Sequence, residues 1–233
     1  MQLARFLQNK RMAAGALVVL AAAILLLFDS FSKAGTSSVP ANTAELKRAE
    51  LNVLIDQWQT ESEGHAVSSN PYDYMNTPAL ERMTQLSADY LPYIVERMEQ
   101  DQSLTSFVLT SVVTKVSQAK EVSGFKFESP GGFVKQWKKF EQSIPSRYTV
   151  IRDKAESRDG SEEAVQDAVE LGVLAVPYIM EDIRAGRADL APAIAQLLPS
   201  EKTPSGSSVK AWKKWVNGAG EKYGVLKGIA GDR

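Results

Sequence analysis

LSADYLPYIVERM, residues 86–98, returns as LGVLAVPYIMEDI at residues 171–183. Pro92, Tyr93, Ile94 and Glu96 fall 85 residues before Pro177, Tyr178, Ile179 and Glu181, and Ala79, Leu80 and Leu86 match Ala164, Val165 and Leu171 at the same offset. One residue further out of step, Leu104, Phe107, Val108 and Val112 fall on Leu190, Ala193, Ile194 and Leu198. VKQWKKF at 134–140 then returns as VKAWKKW at 209–215, at an offset of 75. The first copy therefore carries about ten extra residues in its linker, AKEVSGFKFESPGG against SEKTPSGSS. Several blocks in the same order at near-constant spacing mean that one supersecondary unit has been used twice.

Within each copy the punctuation is helical. Pro92 and Pro177 fit a first helical turn, where the missing N–H costs no hydrogen bond, with Tyr, Ile and a further apolar residue lining one face behind them. Upstream, Thr77 caps PALERMTQL with Pro78 at the first helical position. LTSFVLTSVVTKV and LAPAIAQLL are apolar around much of their circumference and belong at the centre of each unit. Val and Thr enrichment in the first leaves a strand open, and the Ala-rich partner tips both toward helix. Ser129 and Pro130 start a helix with Phe133, Trp137, Phe140 and Ile144 on one stripe; Val209, Trp212, Trp215 and Val216 make the equivalent stripe. Ser161, Glu162 and Glu163, after Gly160, suit a helix N-terminus. Before the repeats, Leu46, Leu51, Leu54, Ile55 and Trp58 predict an amphipathic helix over 44–61 with Thr43 as its cap, and residues 64–76 read as a loop.

The expected fold class is therefore all-α, with two tandem helical-repeat units, each of hairpins plus a Trp-bearing helix, after an N-terminal hydrophobic helix. The expected boundaries are 1–28 for that segment, 29–42 for a flexible linker and 43–233 for the helical domain, with units at about 77–144 and 161–218.

Helix pairs with Pro at the start of the second helix and a small-residue step before it resemble HEAT-like repeats, and residues 86–98 and 171–183 carry that likeness. The trailing Trp137 with Phe140, and Trp212 with Trp215, are similar to the ending of bacterial extracytoplasmic HEAT-like proteins. The resemblance covers roughly residues 79–216. A period of 75 to 85 exceeds the roughly 40–47 residues of one HEAT repeat, so each unit would need two hairpins, or one hairpin with added helices. The resemblance implies a scaffold or binding surface and transfers no catalytic residue.

Arg5, Lys10 and Arg11 precede the uncharged run MAAGALVVLAAAILLLF at 12–28. Its 17 residues span about 25 Å as a helix, near the lower limit for crossing a hydrocarbon core. Positive charge ahead of the run places residues 1–11 in the cytoplasm and the rest outside it, as a single-pass protein of the cytoplasmic (inner) membrane. SFSKA, ending at Ala34, has the small-x-small pattern of a cleavage site, so release near Ala34 as a secreted protein is the alternative. SFSKAGTSSVPAN reads as a spacer that holds the domain off the membrane.

The composition, 44 % hydrophobic and 24 % charged, is that of an ordinary globular protein. There is no Cys, which removes disulfides, thiolate nucleophiles and Cys-ligated metals. His65 is the sole histidine, so no two-histidine zinc site can form, and its neighbours Ser62, Ser68 and Ser69 show no nucleophile-elbow pattern. Carboxylate pairs such as Glu61 with Glu63 and Glu162 with Glu163 fit helix surfaces; a glycosidase pair is not readable from spacing. Gly131 and Gly132 lack the Lys-Ser/Thr of a phosphate loop.

A net charge of −1 argues against a nucleic-acid binder, yet 155–189 holds nine acids against three bases and 202–233 seven bases against two acids. Helical spacing turns Trp137 and Trp212 one way and the flanking lysines the other. Lys135, Lys139, Lys210 and Lys214 are thus the candidate contact residues on the solvated backs. The expected function is a membrane-tethered extracytoplasmic scaffold or protein-binding module. Its partners are the membrane, through residues 12–28, and another protein; no catalytic residue, cofactor, metal, nucleic acid or small-molecule substrate is expected. The alternatives are a carboxylate-dependent secreted hydrolase, marked by a deep polar pocket, and a binder of anionic lipid or cell-wall polymer, for which the four lysines would form one continuous patch.

Overall fold

Side-chain caps and prolines set the helix starts. A computed structural model of the chain describes residues 39–63, 74–101, 103–157, 161–206 and 208–231. The apolar run at 12–28, the site near Ala34, the spacer up to residue 38, and His65 lie outside them. Among the described residues there are ten α-helices, two 3-10 turns and no strand. No helix among them is long and apolar enough to cross a membrane.

Helix α1 spans Val39–Ser62. It begins four residues before the expected cap at Thr43, because Pro40 in a first turn forfeits no hydrogen bond. Leu51, Ile55, Trp58 and Ser62 turn inward at steps of four, three and four. Leu46, expected on that stripe, is 57 % exposed, since five residues before Leu51 lies well off the same face. The residues from Leu46 onward form one compact unit.

Helix α2 (Pro78–Thr84) is capped by Thr77, whose hydroxyl accepts the N–H of Leu80 at 3.2 Å. A 3-10 turn at Ala88–Tyr90 leads into α3 (Leu91–Gln100), with Pro92 in its first turn. Helix α4 (Leu104–Ser117) is capped by Ser103, and a short α5 (Lys120–Ser123) lies in the longer linker. Helix α6 (Pro130–Ala155) is capped by Ser129, whose hydroxyl accepts the N–H of Gly132 at 3.2 Å. Downstream, α7 (Ser161–Glu170) leads through a second 3-10 turn, Gly172–Ala175, into α8 (Val176–Ala185), with Pro177 in its first turn. Helices α9 (Ala191–Leu197) and α10 (Val209–Gly231) complete the chain.

Two helices outrun their expected ends. Helix α6 passes through Pro145 to Ala155, because Tyr148, Ile151 and Ala155 continue the buried stripe of Ile144 at helical spacing. Helix α10 runs past residue 218 to Gly231, anchored by buried Tyr223 and Leu226. A proline inside a helix costs about 3 kcal/mol, which the packing of the last three turns of α6 offsets.

Helix α4 packs on α2 and α3, and α3 packs on α6; further along, α9 packs on α7 and α8, and α8 packs on α10. Between the two sets, α6 lies against α7, and α10 against α3 and the first 3-10 turn. Phe133, Trp137, Phe140 and Trp212 stand with the apolar faces of the central helices in one continuous core. Phe125 meets Phe133 and Phe140 edge-on at 5.6 and 6.4 Å.

Gly172 fixes the turn into α8. Its φ is +71°, and a Cβ there would overlap the carbonyl oxygen of Ser117 and lie 2.7 Å from the amide nitrogen of Ala119. No other residue type fits that approach. Beside it Gln118, at φ 53°, ends α4 and donates from its side-chain amide to the carbonyl of Leu197 at 2.9 Å.

Candidate functional site

The helical period sorts aromatics from lysines on α6 and α10. Phe133, Trp137, Phe140, Trp212 and Val216 are buried, whereas Lys135, Lys139, Lys210 and Lys214 are exposed. Each lysine pair stands one turn apart on its helix, and none of the four makes an ion pair among the described residues. Their neighbour Lys138 is held by Glu99 at 2.8 Å.

Other cations, Arg48 and Lys227 among them, are tied into the fold. The Arg48 guanidinium lies 5.1 Å from the ring centroid of Tyr93 and donates to Glu96 at 3.0 Å. The Lys227 ammonium lies 5.1 Å from the ring of Tyr178 and pairs with Glu181. The Tyr-x-x-Glu spacing that recurs in the sequence therefore grips a cation from another helix in both places.

Beside α10 the turn at 201–204 forms a shallow groove. Glu201 pins it, accepting from Lys222 at 2.6 Å and from the Tyr223 hydroxyl at 2.7 Å. Those two bonds, Lys222 first, hold the Glu201 carboxyl below its usual range, while burial and the same carboxylate push the Tyr223 phenol up. Pro204, Ala211, Trp215 and Ala219 line the groove, with Lys202, Lys214 and Lys222 also on its walls. Trp215 is half-buried, edge-on to Trp212 at 5.8 Å, where its sequence counterpart Phe140 is fully packed. Gly218 keeps one side open: a Cβ there meets nothing within 4 Å. Of the four lysines singled out by sequence, Lys214 lines this groove and Lys135, Lys139 and Lys210 do not. Trp215, Lys202 and Gly218 were missed as groove residues; the shorter linker before α10 was the one available hint.

The buried acids Asp182 and Asp89 serve the fold. Asp182 accepts the Tyr148 hydroxyl at 2.6 Å and pairs with Arg187, so both its oxygens are engaged. Burial and that carboxylate hold the Tyr148 phenol far above its ordinary range. Asp89 is engaged likewise by Lys47 and Ser87. Glu61 accepts the N–H of Ala79 at 2.8 Å, and Glu163 pairs with Lys154 at 2.7 Å. Glu162 and Glu163 line an open depression with Gln166 and Gln196 rather than a deep polar pocket. Among the described residues no group of three or more His, Asp or Glu side chains converges to hold a metal ion.

No protein-family model matches the chain, and no curated protein or solved structure is significantly similar to it.

Proposed function

We propose that the chain is a HEAT-like helical-repeat binding module, tethered by residues 12–28 to the outer side of the cytoplasmic membrane, whose lysine faces receive an acidic surface of another protein. The observation that carries this reading is the contrast in charge use. Twelve cations are spent on internal ion pairs, from Lys47 with Asp89 to Lys227 with Glu181. Lys135, Lys139, Lys210 and Lys214, exposed on α6 and α10, are left with none among the described residues. Unpaired charge on exposed helix faces of a nearly neutral protein favours and steers an oppositely charged partner. The like order of contacts in α2–α6 and α7–α10, and the paired Tyr-x-x-Glu grips, support two repeated units, and stacked units offer long faces for a partner.

Crosslinking in native membranes tests the binding reading. The wild-type chain is expected to yield discrete adducts that weaken as salt is raised and disappear when Lys135, Lys139, Lys210 and Lys214 are all changed to Glu. Adducts unchanged by that variant contradict it. N-terminal sequencing tests the tether: a mature chain that starts at Gly35 in a soluble fraction contradicts it.

A further inference from the structure

We infer that the groove between the 201–204 turn and α10 is a docking slot for a short acidic segment of a partner protein, with one apolar side chain of that segment set against Trp215. The inference rests on the binding reading above and gives it a place and a ligand chemistry.

Three observations meet there. Trp58, Trp137 and Trp212 are buried, so Trp215 alone of the four tryptophans offers its ring to a ligand. A half-exposed tryptophan in a groove is the residue type that most often anchors a partner side chain. Pro204, Ala211 and Ala219 surround it with small apolar surface, and Gly218 leaves room for a side chain from outside. Around this apolar strip stand Lys202 and Lys214, neither of them in an ion pair among the described residues, while Glu201, the one acid lining the groove, is already engaged by Lys222 and Tyr223. The field over the strip is therefore positive and awaits carboxylates. An apolar centre inside a charged rim is how protein interfaces are built, and it distinguishes this slot from a surface that merely attracts anions.

Gly218 and Gly224 allow a controlled test, because both lie on α10, both have open space where a Cβ would go, and only Gly218 borders the groove. The probe is a heptapeptide of six glutamates around a central phenylalanine, titrated into the purified full-length chain and followed by tryptophan emission and its quenching by iodide. The wild-type chain is expected to bind it with protection of the iodide-quenchable emission. Gly218→Glu, which places a carboxylate in the slot, should weaken binding about tenfold or more, and Gly224→Glu should leave it within about twofold. The glycine-centred peptide should bind about tenfold less well than the phenylalanine-centred one. Equal loss in Gly218→Glu and Gly224→Glu, equal binding of the two peptides or of vesicles of anionic lipid in their place, or no binding by the wild-type chain, overturns the slot. If binding is instead abolished by Lys135→Glu with Lys139→Glu and untouched by Gly218→Glu, the slot falls while the wider binding reading stands.

Discussion

Gly172 lies so close to Ser117 that its missing side chain is what allows the end of α4 to rest on the turn before α8. The backbone of Gly172 is left-handed as well, at φ +71°, so both sterics and conformation exclude other residues. Gly172→Ala is expected to cost about 3 kcal/mol or more, by strain and displaced backbone. Gly224→Ala, in open space on α10, should stabilise by up to about 1 kcal/mol through helix propensity. Urea unfolding of the two variants checks this; equal midpoints contradict the close approach.

The two core tryptophans differ in one hydrogen bond. The Trp212 indole N–H donates to the carbonyl of Gly206 at 2.8 Å, whereas that of Trp137, fully buried, finds no acceptor among the described residues. Replacement by Phe opens a similar cavity at each site but breaks a bond only at Trp212. Trp212→Phe should therefore cost about 1 kcal/mol more than Trp137→Phe. A larger loss at Trp137 contradicts the difference.

Tyrosine ionisation should be locked to unfolding. Burial first, and then hydrogen bonds to Glu50, Asp182 and Glu201, hold the phenols of Tyr90, Tyr148 and Tyr223 well above their ordinary value of about 10. A folded-state pKa raised above the unfolded one contributes stability that is intact below about pH 10 and is lost as pH rises beyond it. Near-ultraviolet phenolate absorbance is expected to show these three appearing only with the loss of helical signal. Their ionisation near pH 10 in a fully helical protein would contradict these contacts. Tyr148→Phe should remove part of this alkaline sensitivity and cost about 1–2 kcal/mol at neutral pH.

The paired grips predict matched couplings. Double-mutant cycles between Arg48 and Tyr93, and between Lys227 and Tyr178, should each return about 0.5–1 kcal/mol, the range for a cation over an aromatic face near solvent. A coupling in one pair and none in the other would mean that the recurring Tyr-x-x-Glu spacing does different things in its two settings.

Helix starts were legible because they are decided locally. Thr77, Ser129, Pro78, Pro92 and Pro177 act on hydrogen bonds within one turn, and all stand where the residue types demanded. The stripe of Phe133, Trp137, Phe140 and Ile144 was legible from periodicity for the same reason. Helix ends were not. The first unit was expected to end near residue 144, and only the packing of Tyr148, Ile151 and Ala155, supplied by distant parts of the chain, carries α6 past Pro145. Burial of Asp182 and Asp89 was invisible too, since each is stabilised by partners many residues away or by a neighbour whose direction depends on the fold. The groove at Trp215 escaped notice because its copy of the motif looks like the buried one at Phe140; what differs is the turn that packs beside it.

The absence of native cysteine allows the most direct test of the binding account. Single cysteines in place of Lys139, Lys214, Asp56 and Val150, all exposed positions, each give a unique thiol for a short thiol-directed crosslinker in native membranes. The account predicts a discrete protein adduct from positions 139 and 214 and none from 56 and 150. Adducts of equal yield from all four, or from positions 56 and 150 alone, would contradict it.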